Sequence, residues 1–322
     1  ILHLLEKADE RLIEFLYNSS GGNPLFTIEA IRNTRRTKFI TETDGRWVLQ
    51  KEQRLPFLDD LYGVVMSTID SLPSEFRLIV DCASVIGYSF NYLILDGLFP
   101  ATKLKERLRY LVEEGYILVA KEGRDPAYVF RHNLMKDAAY TVLPVKKRKE
   151  IHHLVATLYE DLYADQLAEY YENVGHHYRS CERYGKAAHY FSLAGDKAKN
   201  LYALDQALKY YNDVLTMAKQ KSAHISDDVA RHVLLHLADI HEIKGDIDKM
   251  EKAATEGLEH ARSAKDVRDT VNFSERQAVA FILTNRLQEA EQQLLAGIEQ
   301  CDDQMTDVLS VLYSDPVSYT HL

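Results

Sequence analysis

Leu4, Leu5, Ala8, Leu12, Phe15 and Leu16 recur at helical spacing, which predicts a helix over 3–17 that the polar, glycine-containing stretch 18–22 stops. A second helix is predicted to open at Pro24, because proline suits a first turn whose N–H has no intrahelical partner. It continues through Leu25, Phe26, Ile28, Glu29 and Ile31 to about Asn33. The period then changes. Phe39 and Ile40, a turn at Asp44-Gly45, and Trp47-Val48-Leu49 predict a hairpin in which Asp-Gly supplies positive φ angles.

From 57 to 160 the expected order is four helices, two strands and a helix. Leu61, Val65, Ile69 and Leu72 line one helical face, ended by Pro73. Phe76, Ile79, Val80 and Ala83 line the next, stopped at Gly87. Leu104, Leu108 and Leu111 line another, with Gly115 as its C-cap. Two short β-rich runs, 116–120 and 128–131, flank the turn-forming Gly123-Arg124-Asp125-Pro126. Helices followed by a short hairpin predict a winged helix.

Beyond Asp165 the pattern is helical and repetitive. A turn residue is followed by Ala five positions on, a large apolar residue four later and a small-apolar pair three after that. Tyr202, Ala207, Tyr211 and Val214-Leu215 fit this pattern, as do Asn285, Ala290, Leu294 and Gly297-Ile298. Gly245, Met250, Ala254 and Gly257-Leu258 fit with large and small exchanged. Glu182, Ala187, Phe191 and Ala194-Gly195 sit half a period earlier. Small residues give packed helices room at their crossings. The pattern resembles degenerate tetratricopeptide repeats, and spacings of 43 and 40 residues predict long inter-helix loops. The last seven residues, PVSYTHL, continue no pattern and are read as a non-native tail at 316–322.

Composition narrows the function classes. The chain has 322 residues, enough for two or three domains with separate cores. It is 46% hydrophobic and 27% charged, and no apolar run predicts a membrane span. A net charge of −10 argues against general nucleic-acid binding. The basic run Lys146-Lys147-Arg148-Lys149 is read as a helix cap or a solvated face. Cys82, Cys181 and Cys301 are too far apart in sequence for a zinc or disulfide framework, so reduced thiols and a cytoplasmic location are expected. The chain starts at Ile1 with no secretory leader to be read, and it is expected to be a piece of a longer protein.

Candidate chemistry is sparse. No Gly-rich phosphate loop or nucleophile triad can be assembled, and Asp59-Asp60 is read as a helix-start charge. The adjacent pairs His152-His153 and His176-His177 do not share a helix face, so no metal is expected to be bound by this segment alone. The tyrosines clustered between 159 and 211 are read as core.

Five separated phrases resemble the C-terminal part of the STAND class of AAA-type ATPases, above all that of soluble adenylate cyclases and their bacterial relatives. They are GGNPLF at 21–26, IDSLP at 69–73, ASVIGYSF at 83–90, Phe130-Arg131-His132 with Ala139-Tyr140, and Arg148 with His152. The resemblance implies a mainly α chain: lid remnant 1–35, β-hairpin connector 36–56, winged-helix domain 57–160 and a tetratricopeptide-like α-solenoid 165–301.

It also implies that Gly22, Asn23 and Pro24 contact a nucleotide's base and sugar. His132 would bond the β-phosphate of ADP, with Arg131 near it. This stretch departs from the class signature, with Arg131 in place of a methionine and Asn133 in place of an aspartate; Asn133 is a candidate helix cap. ATP or ADP is expected only together with a nucleotide-binding core outside this chain. The implied partners are the parent's own N-terminal ATPase and cyclase domains, with a protein or peptide on the repeats. The leading expectation is thus the non-catalytic regulatory region of a class III adenylate or guanylate cyclase. The alternatives are the sensor region of an ATP-dependent transcription activator and a repeat scaffold. A DNA-reading helix at 103–114 would offer Lys103, Lys105, Arg107 and Arg109, but also Glu106, Glu113 and Glu114.

Overall fold

The computed structural model describes residues 5, 7–20, 23–36, 39–49, 61–100, 103–219 and 225–298. These are mainly helical and form two compact units, 1–158 and 159–322. No helix among the described residues is long and apolar enough to cross a membrane.

The first unit opens with α1 (Glu10–Ser20) and α2 (Pro24–Arg36), then a hairpin of β1 (Ile40–Thr43) and β2 (Arg46–Leu49). The predicted turn is present, with Asp44 at φ 50° and Gly45 at φ 71°. The first helix starts later than its apolar spacing suggests. Residues 7–9 give their backbone groups to the hairpin: Trp47 N–H donates to Lys7 O at 2.8 Å and Asp9 N–H to Trp47 O at 3.0 Å. Leu5, Leu12, Leu16, Phe26, Ile31 and Ile40 share one core, which also takes in Val64 of the following helix.

Next come α3 (Leu61–Asp70), α4 (Ser74–Ile86), β3 (Ser89–Asn91), α5 (Tyr92–Leu98), α6 (Leu104–Glu113), β4 (Ile117–Lys121), β5 (Ala127–Phe130), α7 (Asn133–Val142) and α8 (Val145–Leu162). The three strands make an antiparallel sheet in the order β3-β5-β4. Strand β3 is missing from the sequence reading because three residues are too few to show alternation. It is fixed by pairing instead, with Ser89 opposite Val129 and Asn91 opposite Ala127. The single helix expected after the strands is two, broken at Leu143-Pro144, where proline disfavours a helical residue before it. Fully buried Tyr116 joins the sheet to the helices, its hydroxyl donating to Thr68 O at 3.1 Å.

The second unit follows a 3₁₀ turn at Ala164–Glu169 with α9 (Tyr171–Ser180), α10 (Tyr184–Asn200), α11 (Leu204–Ala218), α12 (Asp227–Lys244), α13 (Ile247–Ala264), α14 (Val267–Leu283) and α15 (Leu287–Ile298). The four turn residues of the sequence pattern, Glu182, Tyr202, Gly245 and Asn285, all have positive φ, and so does Lys265. The expected long loops are absent from most junctions. Only Gly245 and Asp246 separate α12 from α13, and the extra residues lengthen the helices to 17 or 18 instead. Tyr159, Tyr178, Tyr190, Tyr210 and Tyr211 are buried as core, but the reading fails at Tyr202, which is 83% exposed at its turn.

Candidate functional site

The candidate residues of the first unit meet where α2 runs past the β5–α7 junction. Helix α2 starts on an N-cap: Asn23 Oδ1 accepts the Phe26 N–H at 3.3 Å, and exposed Pro24 takes the first helical position. Gly22 lies outside the described residues. Glu29, five residues into the helix and so about 7.5 Å along its axis from Pro24, is 1% exposed.

An ionised carboxylate so placed needs partners, since an unpaired buried charge costs several kcal/mol. His132 supplies one, its Nε2 lying 3.1 Å from Glu29 Oε1, and Arg32 Nη1 another at 3.9 Å. His132 reaches this position because β5 ends at Phe130 and the chain stays extended through His132, at φ −143° and ψ 144°, before α7 begins. The cap position of α7 is therefore His132, and Asn133 is its first helical residue rather than its cap.

Arg131 is held by its own backbone, its N–H donating to Tyr116 O at 3.1 Å. Its guanidinium converges with that of Arg32 over Gly115, whose φ of 73° marks the turn between α6 and β4. A Cβ at Gly115 would stand 2.5 Å from Arg32 Nη1 and 2.8 Å from Arg131 Nη1. Arg32 Nη1 also donates to Gly115 O at 3.4 Å. An open cleft of about 430 Å³ lies beside them, lined by Arg32, Arg35, Glu113 and Glu114. Arg35 stacks on the Trp47 ring at 4.5 Å.

Two guanidinium groups and an imidazole N–H suit a doubly charged oxyanion, since each guanidinium fork offers parallel donors. In this structure Glu29 occupies the histidine, so an anion reaching His132 would have to compete with that carboxylate. His132 and Arg131 thus come together with α2, while Asn23 and Pro24 sit at the far N-terminal end of the same helix. Glu29 and Arg32 were not singled out in the sequence. Their one local signal is a Glu and an Arg three apart on a helix that opens with proline, which reads equally well as a solvent-facing pair.

The other singled-out groups have structural roles. His152 Nε2 lies 3.1 Å from the Tyr140 hydroxyl, and Arg148 stacks on the same ring at 4.8 Å. Buried His177 stacks on Tyr159. Lys146 and Lys147 are exposed at the start of α8. Burial pushes the Cys82 thiol up to about 12, which keeps it protonated and unreactive. Asp59, Asp60 and Cys301 lie outside the described residues. Comparison with protein-family models, with curated proteins and with solved structures finds no match for this chain.

Proposed function

We propose that this chain is the regulatory region of a STAND-type ATP-binding signalling protein, with the ATPase-like and repeat portions of a class III nucleotide cyclase as the parent. In this reading 57–160 acts as a winged helix closing on a lid formed by α1 and α2, and 165–301 is a tetratricopeptide-like array that receives the input signal. The observation that carries it is the meeting of His132 and Arg131 with the lid helix at Glu29 and Arg32.

ADP, held mainly by a core outside this chain, would place its β-phosphate against Arg131, Arg32 and the His132 N–H and hold the module closed. Glu29 takes over the histidine when the phosphate leaves, so His132 always has an anionic partner and the closed and open states differ in which one. The chain alone neither hydrolyses ATP nor makes a cyclic nucleotide.

The test is ADP release from the full-length parent. A charge-assisted hydrogen bond of about 1.5–3 kcal/mol corresponds to roughly 10–100-fold in off-rate. His132→Ala and Arg131→Ala should each speed release by that order, and unchanged off-rates would remove the sensor role.

Direct DNA reading by α6 is disfavoured because three of its four candidate cations are already engaged, with exposed Arg109 the fourth. Arg107 Nη2 donates to Glu75 at 2.7 Å, Lys105 lies over the Tyr92 ring and Lys103 pairs with Glu106.

A further inference from the structure

The second unit brings three metal-ligand side chains together, none of them singled out in the sequence. His232 and His236 lie one turn apart on one face of α12, and Asp196 projects from α10. One donor atom from each lies within 4.8 Å of the other two. From these we infer a binding site for a zinc-class divalent ion with ligands Asp196, His232 and His236 and an open fourth position.

The distances suit such an ion. Donors about 2.0–2.2 Å from a tetrahedral zinc stand about 3.4 Å apart. Asp196 Oδ1 is 2.9 Å from His232 Nε2 and 3.9 Å from His236 Nε2, so the present separations bracket that value and small side-chain rotations equalise them. Without the ion a proton on His232 bridges to Asp196; binding replaces that proton, as metal binding to imidazole does. His232 is 41% exposed, which leaves the ion an entry path and its fourth position open to water.

The surrounding groups hold the ligands as a working metal site requires. The Tyr211 hydroxyl of α11 donates to Asp196 Oδ1 at 2.6 Å, fixing the carboxylate. Asp239 Oδ2 lies 3.3 Å from His236 Nδ1, and the ring would donate there once the ion takes Nε2 and the Lys199 ammonium, which approaches the same nitrogen more closely, turns wholly to Asp239. Lys199 Nζ, 2.8 Å from the same Nδ1, is taken up by Asp239 Oδ2 at 2.6 Å, and Arg276 Nε binds the other oxygen at 3.2 Å. Asp239 thereby offsets the nearby cations. The expectation of no metal rested on adjacent histidines, which point to different faces; the spacing that matters is four, with the carboxylate supplied by another helix.

The inference is independent of the nucleotide reading and is tested on the metal-stripped chain with Zn²⁺ alone by calorimetry, and with Co²⁺ alone by absorption. One ion per chain, with the visible bands of tetrahedral cobalt, is expected. His232→Ala and His236→Ala should each weaken binding at least tenfold with circular dichroism unchanged, and Asp239→Asn about tenfold. His260→Ala, at a partly exposed histidine 4.0 Å from Asp227, should leave affinity unchanged. If the buried-side His236 variant fails to fold, the exposed His232 variant decides. No stoichiometric binding by the wild-type chain, or binding that survives loss of His232, overturns the proposal.

Discussion

Gly115 shows how one residue can serve both a turn and a site. Its φ of 73° strains any side chain, and the space beside it is filled by the ends of Arg32 and Arg131. The backbone term is about 1 kcal/mol for alanine in a left-handed conformation. Moving the guanidinium groups is cheaper, because they are the far ends of flexible side chains, but it breaks the Arg32 bond to Gly115 O. Gly115→Ala should therefore destabilise the first unit by about 1–2 kcal/mol. Trp47, the one tryptophan, packs against the core of that unit and reports its unfolding in urea. A midpoint shifted down at unchanged slope is expected; an unshifted midpoint would show that the turn tolerates a side chain. The glycine was legible as a helix end, since that is a local signal. Its second role was not, because Arg32 lies 83 residues away and no period in the sequence links them.

Among the helices of the second unit, the turns and the crossings obey different rules, and the sequence pattern marks part of each. Positive-φ residues at 182 and 202, and again at 245, 265 and 285, fall twenty residues apart, one at each short helix junction. The spacing pattern picked out four of them and took alternate junctions for a whole repeat. Lys265 escaped notice because Thr270 and Ser274 stand where the pattern expects an alanine and a large apolar residue.

The crossings depend on glycines set against aromatic rings. A Cβ at Gly257 would stand 2.1 Å from Phe273 Cε1, and one at Gly195 2.3 Å from Tyr211 Cε1. At Gly257, alanine is favoured by about 1 kcal/mol in a helix interior, while overpacking costs about 1–3 kcal/mol or more. Phe273 is fully buried and cannot swing away, so overpacking wins. Gly257→Ala should lose about 2 kcal/mol in urea denaturation followed by circular dichroism. Gly245→Ala meets nothing within 4 Å and should lose only the left-handed penalty of about 1 kcal/mol. Equal losses at the two positions would refute the crossing argument.

Over the whole molecule, two carboxyl groups, Asp81 in the first unit and Glu160 in the second, should answer to acid in opposite senses, because folding perturbs them in opposite directions. In the first unit, burial raises the Asp81 carboxyl in spite of its bond to Arg77 Nε at 2.9 Å. A group raised on folding binds its proton more tightly in the folded state, so acidification adds stability there. In the second unit, burial pushes Glu160 up, but the Tyr178 and Tyr190 hydroxyls at 2.6 and 2.7 Å and Lys186 outweigh it and hold the carboxyl below its ordinary range. Stability from a depressed carboxyl is fully present above its unfolded pKa and is lost as pH falls through the folded value. Glu160→Gln removes the charge but keeps an acceptor, so at pH 7 it should cost up to about 1.5–3 kcal/mol, the range for hydrogen bonds to a charged group. As pH falls from 7 past the depressed Glu160 value the wild-type carboxyl becomes neutral as well, and the difference between the two proteins should shrink toward zero. Paired urea titrations across that range, followed by circular dichroism, measure the gap directly. A gap that stays constant with pH would mean that the tyrosines and Lys186 hold Glu160 by packing rather than by its charge.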